Sequence, residues 1–396
     1  MRQSMRHNKL PRIPREEYPR RWAKVQSLMA ANGLDLLIAY ADDHAAYGPA
    51  HARWLADFPV YFEPVCILFH KKSDPVMLSG PESDEYARLI SPISQVRILK
   101  EFMHPDEDYK YTRIKGLAQV VSELGRVKSV KRIGLAGQYL MPSGILSAFK
   151  KALPSAQWLD VETAMCLLRS VKTPAELAVL KYAYKIAEAG MRAAIRAIKP
   201  GVMEREIAAA AESAMRQSGA EGTGIDTIVA SGPNTRPILA RSTFRKVQKH
   251  DLVLVTLTPR YEGYHGAIGR PVMVGNPGPA VKQAVKTAQL AQHNCARALR
   301  AGVDGSAIEN IGRKTLEPAG LEKYFLYSGV HSVGVIEFEP PIFGPTNKGP
   351  LKKDMVISVD IPMFNTPWGG LRVEDGYRIT AQGTELLNHI PYEIIK

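Results

Sequence analysis

Short apolar runs alternate with amphipathic stretches along the first 168 residues. Runs at 34–40, 65–69, 75–78, 96–99 and 132–135 have the length of buried strands, and 22–31, 82–89, 115–124 and 143–152 read as helices. Strands and helices in alternation predict an α/β domain that ends near residue 168. A different grammar follows. Thr173-Pro-Ala-Glu176 is a capping box with proline in the first helical turn: the threonine oxygen accepts an orphan amide while the glutamate reaches back. Leu177, Leu180, Tyr184, Met191, Ile195 and Ile198 then fall at three- to seven-residue steps and predict a long helix that stops at Pro200-Gly201. A second helix is expected at 204–218, with strands at 227–230, 252–258 and 268–274.

Part of this pattern recurs. Arg196-Ala-Ile-Lys-Pro-Gly-Val202 resembles Arg297-Ala-Leu-Arg-Ala-Gly-Val303 at an offset of 297 − 196 = 101 residues, and Ile207 finds Ile308 at the same offset. Both copies read helix, glycine stop, helix, which predicts an internal duplication with a cleft at a pseudo-twofold axis.

Composition narrows the classes. With 45% hydrophobic and 23% charged residues, the 396-residue chain can bury large cores, and disorder is excluded. No apolar run reaches the roughly 18–20 residues that span a bilayer. The Arg-rich, Pro-broken start has no apolar stretch after its charges, so a secretory signal is not expected. Cys66, Cys166 and Cys295 are far apart and odd in number, which fits reduced thiols of a cytoplasmic protein. The net charge is 52 − 39 = +13, of which residues 1–26 hold 8 − 2 = +6. No basic stripe interleaved with aromatics follows, so no nucleic-acid partner and no membrane partner is expected. The expected division is a basic arm at 1–26, an α/β domain at 27–168 and a catalytic domain at 169–396.

Seven segments carry chemistry: Ser231-Gly-Pro-Asn234, Asp251-Leu-Val-Leu-Val-Thr-Leu257, Tyr261-Glu-Gly-Tyr264, His331-Ser-Val-Gly334, Glu339-Pro-Pro341, Asp354-Met-Val-Ile-Ser-Val-Asp360 and Gly369-Gly-Leu-Arg-Val-Glu-Asp375. In order and spacing they resemble the creatinase, prolidase and methionine-aminopeptidase superfamily. That resemblance implies an α/β N-terminal domain, an α+β pita-bread C-terminal domain with internal pseudo-twofold duplication, and a homodimer. It also implies five metal-ligand positions in the peptidases, which fall here on Thr256, Ala267, His331, Asp360 and Glu374. Alanine has no donor atom, and a threonine hydroxyl is a poor substitute for a bridging carboxylate.

The expectation drawn from these losses is a metal-free, creatinase-like branch, with no metal and no cofactor. In this reading the chain hydrolyses a non-peptide C–N bond of a small amidine, guanidine or cyclic amide. His331 moves the proton. Asp360 and Glu374 hold a cationic substrate group, since a planar N–H fork matches carboxylates. Glu339, whose family counterpart is catalytic, or His265, in Tyr264-His-Gly-Ala267, assists water. Arg270 and Arg372 are candidate carboxylate binders, Tyr264 a candidate substrate contact, and Glu63 a small-domain residue placed to reach a partner subunit's cleft. Three alternatives stay open: a lyase on the same scaffold, a catalytically silent peptide- or protein-binding scaffold, and a metal-dependent Xaa-Pro aminopeptidase or prolidase. A single ion on His331, Asp360 and Glu374 is a further variant.

Overall fold

In the computed structural model, which describes residues 10–71, 73–123 and 129–396, the chain divides between Leu168 and Arg169. The charged positions Arg2, Arg6 and Lys9, and the expected helix end at 124, lie outside the described residues.

The first unit is built on a seven-stranded sheet of β1 (Leu36–Ala41), β2 (Val65–His70), β3 (Val76–Ser79), β4 (Gln95–Leu99), β5 (Ile114–Lys115), β6 (Arg132–Ala136) and β7 (Gln157–Asp160), in the order β5-β4-β3-β2-β1-β6-β7. Every residue of β1 is buried, as expected for a central strand covered on both faces. The short edges β5 and β7 escape the apolar-run criterion because they are polar and half-exposed. Helices α1 (Glu17–Ala31), α2 (Ala50–Ala56), α3 (Asp84–Ile90), α4 (Leu117–Glu123), α5 (Ser143–Ala152) and α6 (Glu162–Ser170) connect and cover it. α1 starts earlier than its apolar spacing suggests because a charged residue is drawn inside. Arg21 is buried and donates to the Trp54 carbonyl at 2.8 Å.

The second unit opens with α7 (Pro174–Ala197) and α8 (Glu204–Gln217). The capping box forms as read: Thr173 Oγ1 accepts from the Glu176 amide at 3.3 Å, and Glu176 Oε2 accepts from the Thr173 amide at 2.8 Å. Next come β8 (Gly222–Thr223), β9 (Ile228–Ser231), β10 (Leu252–Leu257), β11 (Pro259–Tyr261), β12 (Tyr264–His265) and β13 (Ile268–Met273). The second half repeats the order: α9 (Pro279–Ala298), α10 (Gly305–Leu316), then β14 (Val330–Ser332), β15 (Glu339–Phe343), β16 (Val356–Thr366) and β17 (Gly369–Ile379). The main path of the sheet is β15-β14-β16-β17-β13-β10-β9. β9, β10 and β13 therefore mirror β14, β16 and β17 about the β13–β17 pair, which is the pseudo-twofold duplication expected of a pita-bread domain.

Alternation along β16 and β17 decides where chemistry can sit. Ile357, Val359 and Ile361, with Leu371 and Val373, point to one face and join the core formed by α9 and α10 through Val281, Ala288, Cys295 and Ile308. Full burial of such side chains stabilises the fold by roughly 1.5–3 kcal/mol each. The residues between them, Ser358, Asp360, Arg372 and Glu374, must face the other way.

Candidate active site

One register row crosses this second face. Thr256 on β10 pairs with Gly269 on β13, Gly269 with Glu374 on β17, and Glu374 with Asp360 on β16. His331 on β14 pairs with Ser358. Directly opposed residues project from the same side of a sheet. His331, Ser358, Asp360, Arg372, Glu374 and Thr256 thus share one buried surface.

The His331 ring is polarised by its own turn. Nδ1 lies 3.0 Å from the Ser332 carbonyl, which can only accept, so the proton sits on Nδ1 and Nε2 keeps its lone pair. That Nε2 is 4.0 Å from Glu374 Oε1. Burial lowers the His331 pKa to about 4, opposed by the Ser332 carbonyl and helped by Arg372, so the imidazole is neutral at pH 7. Glu374 Oε1 also accepts from Ser358 Oγ at 2.9 Å.

A third acidic group completes the cluster. Glu337, in the segment between β14 and β15, is buried, and one donor atom each from His331, Glu337 and Glu374 lies within 4.8 Å of the others. Burial raises Glu337 to about 7, eased by Arg372 and reinforced by Asp360. Glu374 is held well above the usual carboxylate range by burial and then by the negative charges of Asp360 and Glu337.

Beside this cluster stands a fixed charge relay. Arg372 Nη2 donates to the Tyr327 hydroxyl, which donates to Asp360 Oδ2 at 2.5 Å. Arg372 Nε is 3.0 Å from the same Oδ2, an ion pair without hydrogen-bond alignment. Asp360 Oδ1 is buried and makes no hydrogen bond. Burial raises the Asp360 pKa even though Arg372 and the Tyr327 hydroxyl pull it down.

The remaining expected site residues, His265 apart, are committed elsewhere. Glu339 is fully buried with Oε1 on Arg169 Nε and Oε2 3.3 Å from Lys172 Nζ, so it is an internal ion-pair partner, not a free base. Arg270 belongs to the opposite face of β13; it pairs with Asp375 at 2.6 Å and donates to the carbonyls of Glu374 and Ile390. The Tyr264 hydroxyl donates to Glu176 Oε1 at 2.6 Å. Glu63 lies in the first unit, buried, and accepts from the amides of Glu82 and Ser83. His265 is buried, hydrogen-bonded through Nδ1 to the Gly334 carbonyl, and lowered to about 3 by burial and then by Arg260. It and Glu337 both abut Gly224.

Glu337, Ser358 and Tyr327 are the members that the sequence reading passed over. Only Glu337 carried a signal, as a lone carboxylate in the apolar run Val333–Phe338.

A model of the metallopeptidase family M24 matches residues 178–381, and one of the creatinase/prolidase N-terminal domain matches 21–171. The chain belongs to metallopeptidase family M24. It is 28% identical over 269 residues to the Xaa-Pro dipeptidase of Pyrococcus horikoshii, covering 68% of this chain and 76% of that protein. An uncharacterized peptidase of Bacillus subtilis, YqhT, is 28% identical over 302 residues, covering 73% and 85%. The solved Xaa-Pro dipeptidase from Bacillus anthracis superposes with a TM-score of 0.80 at 24% identity, over 96% of this chain and all of that one.

These likenesses correct the metal-independent, creatinase-like expectation. The family is one of metallopeptidases, and these relatives are named as peptidases, not as hydrolases of non-peptide C–N bonds. The chemistry of the donors fits a divalent cation: a neutral imidazole nitrogen and two acidic side chains, buried together, match in type and number the ligands of an open three-donor site. No helix among the described residues is long and apolar enough to cross a membrane.

Proposed function

We propose that this chain is a metal-assisted dipeptidase acting on Xaa-Pro dipeptides. The observation that supports the reading is the buried cluster of His331, Glu337 and Glu374 in a member of a metallopeptidase family whose relatives are named Xaa-Pro dipeptidases. These three residues would hold a divalent cation, which would supply Lewis-acid polarisation of the scissile carbonyl and lower the pKa of water in the site. Asp360 Oδ1 is the free acceptor for a proton from attacking water, while Arg372 and Tyr327 fix the carboxylate through Oδ2. Neutral His331 keeps its lone pair directed at the cluster because Nδ1 is held by the Ser332 carbonyl. A homodimer is the assembly we propose, checked by sedimentation.

The test is release of proline from Met-Pro and Ala-Pro by purified protein supplied with Mn²⁺, Co²⁺ or Zn²⁺. Hydrolysis is expected and EDTA abolishes it. Asp360→Asn lowers kcat by about a hundred- to ten-thousand-fold, the range of a lost acid–base group. Folded protein that releases no proline with any of the three ions overturns the proposal. A silent peptide-binding scaffold is the second reading, favoured by Thr256 and Ala267 standing where the family resemblance puts carboxylates; it predicts dipeptide binding without cleavage.

A further inference from the structure

We infer that the site holds a single divalent cation, on His331, Glu337 and Glu374, and that the Arg372 guanidinium stands as its permanent second positive charge. Three features in and beside the register row carry this. Thr256 Oγ1 faces the row, buried and without a hydrogen-bond partner, and offers a neutral hydroxyl. Ala267 is fully buried and offers no donor. Between Thr256 and Glu374 lies Gly269, where a Cβ would come within 2.7 Å of both Cγ and Cδ of Arg372. Glycine there opens the slot in which the arginine stem lies across the strand, so its guanidinium is built into the site.

Charge decides the count. With all three carboxylates deprotonated, the form in which they would ligate and face a cation, Glu337, Asp360 and Glu374 carry −3 and Arg372 carries +1, so the buried set sums to 1 − 3 = −2. One divalent ion brings it to zero. Two would leave +2 in a buried pocket, at several kcal/mol of desolvation per uncompensated ion. Asp360 Oδ2 is taken by Arg372 and Tyr327, so this carboxylate has only Oδ1 to offer and cannot bridge two ions through both of its oxygens. Geometry agrees with one ion. Donors 2.0–2.2 Å from a common cation are at most about 4.4 Å apart. His331 Nε2 and Glu374 Oε1 already satisfy this at 4.0 Å, and the set as a whole, within 4.8 Å, needs a closure of a few tenths of an ångström. Glu337 is then a ligand outside the five positions that the family resemblance supplies.

The inference rests on the same site as the dipeptidase reading but is judged separately. Purified chain equilibrated with Mn²⁺ or Zn²⁺ and passed through a desalting column is assayed by plasma mass spectrometry. One ion per chain is expected. Glu337→Gln is expected to weaken metal binding by more than about a hundredfold, beyond the loss typical of an outer-shell partner, with circular dichroism confirming the fold. Two ions per chain overturn the inference and leave the dipeptidase reading intact; no bound ion overturns it as well. One ion without proline release sinks the dipeptidase reading alone. Should Glu337→Gln fail to fold, the stoichiometry of the unmodified chain still decides.

Discussion

Replacing Glu339 by glutamine separates a structural role from a catalytic one. The carboxylate is fully buried and is shared by Arg169 and Lys172, whose side chains are only 2% and 1% exposed, so solvent screening does not soften the loss. Glutamine keeps the shape and removes the charge, leaving two buried cations without the carboxylate they share. Breaking a buried pair from one side costs about 3–5 kcal/mol. For the 396 − 168 = 228 residues of Arg169–Lys396, which make up most of their unit, at roughly 2–4 °C per kcal/mol, the melting temperature should fall by about 6–20 °C. Urea denaturation followed by tryptophan fluorescence gives the same quantity as a lowered midpoint with an unchanged slope. Assayed on the folded fraction, kcat should stay within tenfold of the unmodified chain. A variant within 1 kcal/mol of the original stability whose kcat falls a hundredfold or more would refute this reasoning and return Glu339 to the catalytic group.

Gly329→Ala places a Cβ 2.0 Å from the Asp360 carbonyl oxygen, a backbone atom that cannot rotate aside, so β16 is displaced at the residue proposed as base. Calorimetry should show a loss of about 1–3 kcal/mol, together with reduced kcat; full stability would contradict the packing. His265 takes its proton near pH 6.5 when unfolded and near 3 when folded, so the unfolded state binds more protons between those values. Its contribution to stability is intact above pH 6.5 and is lost as pH falls, by at most about 1.4 kcal/mol per pH unit. Ring ¹³C chemical shifts at pH 5 should report a neutral His265; a titration centred at 6.5 would contradict this.

Much of this was legible in the chain. The capping box at Thr173, the helix-glycine-helix repeat and the apolar runs of β1, β2, β10 and β13 are local signals, set by periods of 2 and 3.6 and by side-chain to backbone bonds within four residues. The row of Asp360 and Glu374 could be anticipated because each sits among apolar neighbours in a strand, so alternation must aim it away from the core. Partnerships across long sequence distances left no such trace. Glu339 meets cations 170 and 167 residues upstream, and Arg270 finds Asp375 only once β13 lies beside β17. Glu337 enters the cluster through an irregular connection that follows a register shift between His331 and Ser332, a feature no periodicity encodes. The preference for metal-independent chemistry drawn from two missing carboxylates is overturned by the family and its named relatives; the donor set we propose includes a residue that the spacing did not bring forward.

The most direct test is an anomalous difference map, at the manganese edge, from crystals grown with Mn²⁺. The account predicts one peak, bonded to His331 Nε2 and to carboxylate oxygens of Glu337 and Glu374, with Arg372 still against Asp360. Two peaks about 3.5–4 Å apart, the spacing of paired-ion centres, or a peak that leaves Glu337 uncoordinated, would contradict it.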